Sequence, residues 1–366
     1  MQLSKYLASK IIVPRHLQLC LMLWLLAACT ATETPPADES ASTLPIRGAD
    51  ISFLPQIRLS NAVTRNADGQ PEDMLTTLKR AGVNTIRLKI WVNPKDQHAG
   101  FAEVQAFAKE IKDLGMEVWL TVHYSDTWAD PGAQSKPARW AQANFAALQD
   151  SLYNYTRKIV TEIPTDYIQI GNEINNGLLW PDGHRNRPEQ MKILLQKGIE
   201  AVRAHSDAKI MLHFAGHEGA LAFYNNLKDL DFDLIGLSYY PFWHGKSLTT
   251  LQEQLLALST AFEQDIIIAE TAYPFTFAWA DQTNNIIGLP DQILPEFPAT
   301  PQGQLDFLLA LRRIIENTPR GTGLCYWAPE WIAFKGNSAT DGSSWENQAL
   351  WGFDFRALPG MTAFRK

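Results

Sequence analysis

From about residue 48 to its end, the chain repeats a single alternation: a short apolar run rich in β-branched residues, then a longer segment with helical apolar spacing. Candidate strands fall at 48–53, 85–90, 117–122, 167–171, 209–214, 234–238, 265–269 and 323–326. Helical patterns occupy 72–81, 102–114, 141–162, 188–205, 248–262 and 302–317, with Pro188 and Pro301 where a first helical turn tolerates proline. Strands apolar on both faces and separated by amphipathic helices require a parallel sheet covered by helices. Eight such runs predict that the sheet closes on itself, giving an α/β fold, a single-domain (β/α)8 TIM barrel.

Ahead of the barrel the composition changes. The first 28 residues carry Lys5, Lys10 and Arg15, no acidic residue, and an apolar run over 19–28 that ends in Leu26-Ala27-Ala28. A basic head, a stretch too short to span a bilayer and small residues before the cut read as a secretory signal over 1–28. Cys29, directly after Leu-Ala-Ala, resembles the acylated cysteine of a bacterial lipobox. That resemblance implies lipidation at Cys29 and an exported lipoprotein, held through its anchor at the outer membrane or cell surface of a bacterium. The plainer alternative is an ordinary signal peptide with an incidental cysteine. Residues 29–44 are small, polar and proline-containing and read as a flexible tether, which leaves 45–366 as the barrel domain.

Loss of the leader takes the formal net charge from −7 to −10, which argues against nucleic acid as a partner and leaves a neutral polymer unopposed. Besides Cys29, only Cys325 remains after the leader, so no structural disulfide is expected. Twelve tryptophans suit surfaces that stack on sugar rings, although tryptophan also fills cores.

Chemistry on a barrel of this kind collects at the carboxyl ends of its strands. Those ends carry, in chain order, Asp50, Arg87, His123 with Asp126, Asn172-Glu173, His213 and His217, Tyr239 and Tyr240, Glu270, and Trp327. A single carboxylate at a strand end is more often a helix cap or a surface ion pair. A whole set of polar groups converging on one rim is harder to explain structurally. Glu173 and Glu270 are expected to face each other across that rim, one as acid and one as nucleophile of a retaining glycosidic cleavage. Arg87 and His123 would hold the nucleophile, and Asn172 would bind a sugar 2-hydroxyl. The histidines share no zinc-type spacing and there is no phosphate-cradling loop or GxSxG elbow, so no metal or nucleotide cofactor is expected.

The Asn-Glu pair and the later glutamate resemble the large clan of retaining barrel glycosidases. Longer phrases, HYSDTWADPGAQSKPARW over 123–140, IQIGNEINNGLLWPDG over 168–183, IGLSYYPFWHG over 235–245 and ALWGFDFRALPGM over 349–361, resemble glycoside hydrolase family 53. The resemblance implies an endo-β-1,4-galactanase acting on pectic galactan, or type I arabinogalactan, with Glu173 as acid/base and Glu270 as nucleophile. It places Asp50, Arg87, His123, Asn172, Tyr239, Tyr240 and Trp327 at the sugar sites. Trp91, Asp126, Trp128, Asp130, Trp180, Trp243 and Trp345 are expected in more distant parts of the groove. Two alternatives stay open: a relative in the same clan that cuts mannan or xylan, and a lipoprotein that binds polysaccharide without cutting it. The segment 95–101, KDQHAGF, departs from the family's usual phrase. Some bacterial members hold a structural calcium in the loop after strand seven; the loop here, 281–297, has only scattered acids and amides, so calcium is not expected.

Overall fold

The structure, a computed structural model, describes residues 41–366; the leader and Cys29 lie outside the described residues. The barrel strands are β1 (Ile46–Asp50), β2 (Thr85–Ile90), β3 (Glu117–Val122) and β4 (Tyr167–Ile170). They continue as β5 (Lys209–Ala215), β6 (Leu234–Ser238), β7 (Asp265–Thr271) and β8 (Gly321–Trp327). Each strand pairs in parallel with its neighbours in sequence, and β8 pairs with β1 to close the ring of eight.

The helices begin where side chains can satisfy free N–H groups. Asp73 accepts from Leu75 at the head of Met74–Ala81, Asn144 from Ala147 at Phe145–Glu162, and Thr300 from Gly303 at Pro301–Glu316. Pro188 and Pro301 occupy first-turn positions, as their sequence context predicts. The eighth unit departs from the pattern: the described residues after β8 form the 3₁₀ helices Glu346–Gln348 and Pro359–Phe364 where an α-helix would be expected. The second of these packs on Pro301–Glu316, where Arg312 Nη1 donates to Ala363 O at 3.0 Å.

Two boundaries move. The first strand is Ile46–Asp50, not 48–53, because Ile51–Phe53 already turn into the short helix Leu54–Arg58. The end of the expected tether packs on the barrel: Ser42 N donates to Arg365 O at 2.6 Å, Thr43 N to Glu316 Oε1 at 2.9 Å, and Leu44 is buried.

The lower half of the barrel interior is apolar, filled by Ile46, Trp119, Met211, Leu234, Ile267 and Cys325, with Tyr167 packed against them. Gly323 is small because its neighbours leave no choice: a Cβ there would lie 2.7 Å from Ile46 Cβ. This plug fills one end of the interior and leaves the other to polar side chains.

Irregularities of the backbone aim the chemistry. Along β7, Ile267 and Ala269 belong to the inward cluster, so strict alternation would turn Glu270 away from the interior. The pairing of β7 slips by one residue against both neighbours: Leu237↔Ile268 is followed by Ser238↔Glu270, and Leu324↔Ile268 by Tyr326↔Thr271. A one-residue bulge of this kind re-aims the side chain next to it, and here it brings Glu270 inward. After β4, Gly171 (φ +82°) and Glu173 (φ +46°) both take left-handed conformations. For a non-glycine residue that is strained, and it turns the Glu173 side chain back over the barrel mouth.

Candidate active site

Arg87 stands at the floor of the site, almost wholly buried between the apolar plug and the open rim. Its guanidinium lies over the Trp119 ring at 5.3 Å. Above, Nη1 donates to Asp50 Oδ2 at 2.7 Å, and Nη2 reaches Glu270 Oε1 at 2.7 Å and Asn172 Oδ1 at 2.9 Å. One buried cation is thereby neutralised by two carboxylates and oriented by an amide, which offsets the cost of taking it out of water.

Glu270 also accepts from Tyr240 Oη at 3.2 Å. Glu173 accepts from Ser238 Oγ at 2.5 Å. One oxygen of Glu173, one of Glu270 and one nitrogen of His213 lie within 4.8 Å of one another. Burial pushes the Glu173 carboxyl up to about 8, and the neighbouring Glu270 adds to the rise. Burial raises Glu270 as well, but the Arg87 guanidinium and the Tyr240 hydroxyl oppose it. The proton shared by the pair therefore resides on Glu173, and Glu270 is the ionised partner. His213 does not make the trio a metal site. Its Nδ1 accepts from Gln169 Nε2 at 2.8 Å and its Nε2 contacts Ser238 Oγ at 2.9 Å, so neither nitrogen has a lone pair to spare.

His123 is neutral: burial and the cations of Arg87 and Lys89 push it well below its ordinary value. Its Nδ1 accepts from Ala129 N at 2.9 Å, which leaves Nε2–H directed at the cleft.

These groups open into a cleft of about 530 Å³ that is also lined by Trp128, Trp243, Trp327 and Trp345. Trp327 meets Trp345 edge to face at 4.8 Å, and Trp243 lies parallel to Trp345 at 6.2 Å. The four rings present apolar faces to whatever enters, with the polar groups between them.

The structure thus brings together Asp50, Arg87, His123, Asn172, Glu173, Tyr240, Glu270, Trp128, Trp243, Trp327 and Trp345, and Asp130 with them. It does not bring in Tyr239, which is fully buried and donates to Gly245 O at 3.0 Å; alternation along the chain sends it into the core and its neighbour Tyr240 into the cleft. Asp126 accepts from Ala138 N at 2.8 Å and holds its own loop, outside the cleft lining. Trp91 stands behind the cleft wall, edge-on to Trp128 at 5.5 Å, and Trp180 donates to Asn176 O away from it.

Lys89 lines the cleft and was missed. Its ammonium sits over the rings of Phe53 at 3.8 Å and Trp128 at 4.5 Å, with no hydrogen bond or ion pair to a described residue. Its signal was present: Arg87 and Lys89 are two apart on one strand, so both point inward. Burial lowers Lys89 to about 8, and burial raises the nearby Glu330 to about 8. The cations Arg87 and Lys89 thus share the cleft with the carboxyl groups of Asp50, Glu270 and Asp130, and opposite charges are interleaved along its lining.

The loop after β7 holds a second surprise. Asp281 Oδ2, Asn285 Oδ1 and Glu346 Oε2 are buried and have no hydrogen-bond partner, and burial raises the Glu346 carboxyl, with a smaller contribution from Asp281. Glu346 Oε1 ties the two segments together by accepting from Ala280 N. Orphaned carboxylate and amide oxygens suit a hard cation, which prefers oxygen ligands. The sequence concealed the set because its second acid comes from a segment 65 residues downstream of Asp281.

The fold and this site define a (β/α)8-barrel glycoside hydrolase: a close carboxyl pair, one protonated and one ionised, in an aromatic cleft. A sequence profile described as Glycosyl hydrolase family 53 matches residues 46–364. The chain belongs to glycosyl hydrolase family 53. It is 32% identical over 347 residues to an arabinogalactan endo-beta-1,4-galactanase of Cellvibrio japonicus, covering 87% of this chain and 90% of that protein. It is 34% identical to a probable arabinogalactan endo-beta-1,4-galactanase A of Aspergillus fumigatus, over 82% of this chain and 89% of the other. The solved GH53 catalytic domain of Ignisphaera aggregans superposes with a TM-score of 0.83 at 35% identity, covering 88% of this chain and 95% of that one.

Replacing Lys89 by methionine should weaken the binding of a galactan oligosaccharide about tenfold, the cost of losing a charged donor. The melting temperature should hold or rise, because an apolar isostere removes a buried charge. Calorimetric titration checks this; unchanged affinity would make the ammonium a space-filler.

Proposed function

We propose that this protein hydrolyses β-1,4-galactosidic bonds within galactan chains, of the pectic or type I arabinogalactan kind, with retention at the anomeric carbon. The observation that carries the reading is the Glu173–Glu270 pair, whose oxygens approach within 4.8 Å. Retaining enzymes hold their carboxyl groups about 5–5.5 Å apart, whereas inverting enzymes leave about 6.5–9.5 Å for a water. Endo action and the galactan specificity follow the named relatives. Mannan and xylan would satisfy the same carboxyl pair, but none of the relatives above is named for them.

In this reading Glu173 gives its proton to the glycosidic oxygen as the bond to the anomeric carbon breaks, and Glu270 attacks that carbon from the opposite face. Water, deprotonated by Glu173, then releases the sugar from Glu270. Arg87 and Tyr240 keep Glu270 ionised before attack and stabilise it again as the leaving group. Asn172 and the Nε2–H of His123 offer bonds to sugar hydroxyls, and Trp327 with Trp345 gives the ring an apolar face.

The two variants should fail differently. With Glu270→Ala, added azide should yield a glycosyl azide of inverted configuration. With Glu173→Ala, an activated substrate should still form the glycosyl-enzyme, and azide should trap it with retained configuration, while polymeric galactan barely reacts. Exchange of the two outcomes would swap the roles, and inverted products from the parent enzyme would end the retaining reading.

We also propose that Asp281, Asn285 and Glu346 hold a calcium ion that ties the loop after β7 to the segment after β8. Calcium should raise the melting midpoint and a chelator should lower it, by an amount set by concentration over affinity. Glu346→Gln should lose that response; a midpoint indifferent to both additions leaves the three oxygens without a cation.

Finally, we propose that Cys29 carries a lipid anchor that holds the enzyme at the outer membrane or cell surface of a bacterium. Support comes from the basic, apolar and small-residue order of the leader. The parent should sediment with membranes and Cys29→Ser should not; equal partitioning of both would remove the anchor and leave the catalytic reading intact.

A further inference from the structure

A file of hydrogen bonds inside the barrel leads from Arg87 to the Glu173 carboxyl, and its direction is determined. Arg87 only donates, so Gln169 Oε1, which lies 3.3 Å from Nη2, is the acceptor of that amide. Thr121 Oγ1 donates to the same oxygen at 3.2 Å. The Nε2 end of Gln169 faces Gly171 O and Asn172 Oδ1, each at 3.1 Å, both of them acceptors. Asn172 is itself oriented, since Oδ1 accepts from Arg87 and Nδ2 donates to Ala129 O at 2.8 Å. Gln169 therefore has one orientation, and it turns its Nε2 donor toward His213 Nδ1 at 2.8 Å. The Glu173 backbone N–H points at the same nitrogen, at 3.4 Å. His213 Nδ1 also lies 3.2 Å from Asn172 Oδ1, but that oxygen already accepts from Arg87 and Gln169. The two donors aimed at Nδ1, the nearer at 2.8 Å, make it an acceptor, with the ring proton on Nε2, directed at Ser238 Oγ at 2.9 Å. Ser238 has one proton left to give, and Glu173 Oε1 takes it at 2.5 Å.

We propose that Ser238 is a positioning residue of the reaction: its hydroxyl keeps Oε1 of Glu173 a permanent acceptor, so the proton delivered to the substrate is carried on Oε2. Oε2 has no hydrogen bond to a described residue, and Glu173 lines the cleft. The file supports the donor as the proton leaves. When Oε2 gives up its proton, negative charge grows on the carboxylate, and the Ser238 hydrogen bond strengthens at that moment because acceptors bind more tightly when ionised. The assignment rests on the reading of Glu173 as the catalytic acid.

The consequence has a sign. A hydroxyl donating to a carboxylate favours its ionised form, so Ser238 opposes the rise that burial and Glu270 impose on Glu173. The other charged and titratable groups around the carboxyl are Arg87 from β2, Asp130 from the loop after β3, His213 from β5, Tyr240 after β6 and Glu270 from β7. Of these only His213 also contacts Ser238, and burial keeps it neutral.

The test is the pH profile of kcat/KM on soluble galactan. Activity needs Glu173 protonated, so the parent loses it as pH rises through the Glu173 value. Ser238→Ala should move that basic limb upward by about one pH unit, lower kcat about tenfold and leave KM within about twofold. Ser238→Thr, which restores the hydroxyl, should return both limb and kcat toward the parent. A limb that stays in place in Ser238→Ala, or a loss that Ser238→Thr does not restore, overturns the proposal. Glu173→Gln on an activated substrate separates the two layers. Persistence of the parent's basic limb there would overturn the acid assignment and the positioning role with it. Its disappearance there, with Ser238→Ala unshifted, overturns the positioning role alone.

Discussion

The whole upper half of the barrel depends on the buried guanidinium of Arg87. A cation taken out of water is costly unless its charge and its hydrogen bonds are met on the spot. Here Asp50 from β1, Asn172 after β4 and Glu270 from β7 all bond to it, so strands distant in sequence are tied through one side chain. The same contacts put the guanidinium in direct contact with Glu270, whereas Glu173 feels it only at a distance and is bonded instead by the Ser238 hydroxyl. Two carboxyls of the same residue type thereby acquire different jobs from their surroundings alone.

This arrangement is possible only because the barrel is asymmetric from end to end. The apolar plug of Trp119, Met211, Ile267 and their neighbours supplies the burial that holds the ring together. Having done so, it leaves the opposite end free to carry groups chosen for chemistry. The two irregularities of the backbone sit at that end. The bulge in β7 turns Glu270 inward, and the left-handed turn at Glu173 brings its carboxyl over the mouth. Strain of this order persists only where surrounding structure overdetermines it, and here the Arg87 and Ser238 bonds do so.

Electrostatics and shape agree on the ligand. Neutral His123, protonated Glu173 and the interleaving of Arg87 and Lys89 with Asp50, Glu270 and Asp130 leave a cleft with many donors and charges of both signs. Tryptophans on its walls favour flat apolar faces. A polyhydroxylated ring has both properties. A neutral substrate of this kind is not repelled by the excess of negative charge on the chain.

Much of this was legible in the residues. The alternation of doubly apolar strands with amphipathic helices allowed nothing but a helix-wrapped parallel sheet, and eight repeats closed it, because strand periodicity is a local property of the chain. Glu173, Glu270, Arg87, Asn172 and His123 were likewise readable as polar residues ending apolar runs. What the sequence could not decide is everything that depends on which way a side chain turns or what meets it from another strand. Tyr239 and Tyr240 are identical in type and adjacent, yet one fills the core and the other touches Glu270. Glu270 itself would face outward but for a bulge that only pairing with β6 and β8 reveals. Gln169 and Ser238 look unremarkable in their strands, and the direction of proton donation through them and His213 exists only once Arg87 and Asn172 orient the first amide. Asp281 and Glu346 become a pair only when two distant loops meet. Sequence carries the periodicity that builds the barrel; contacts between segments far apart in the chain, each committing a lone pair or a proton, build the site.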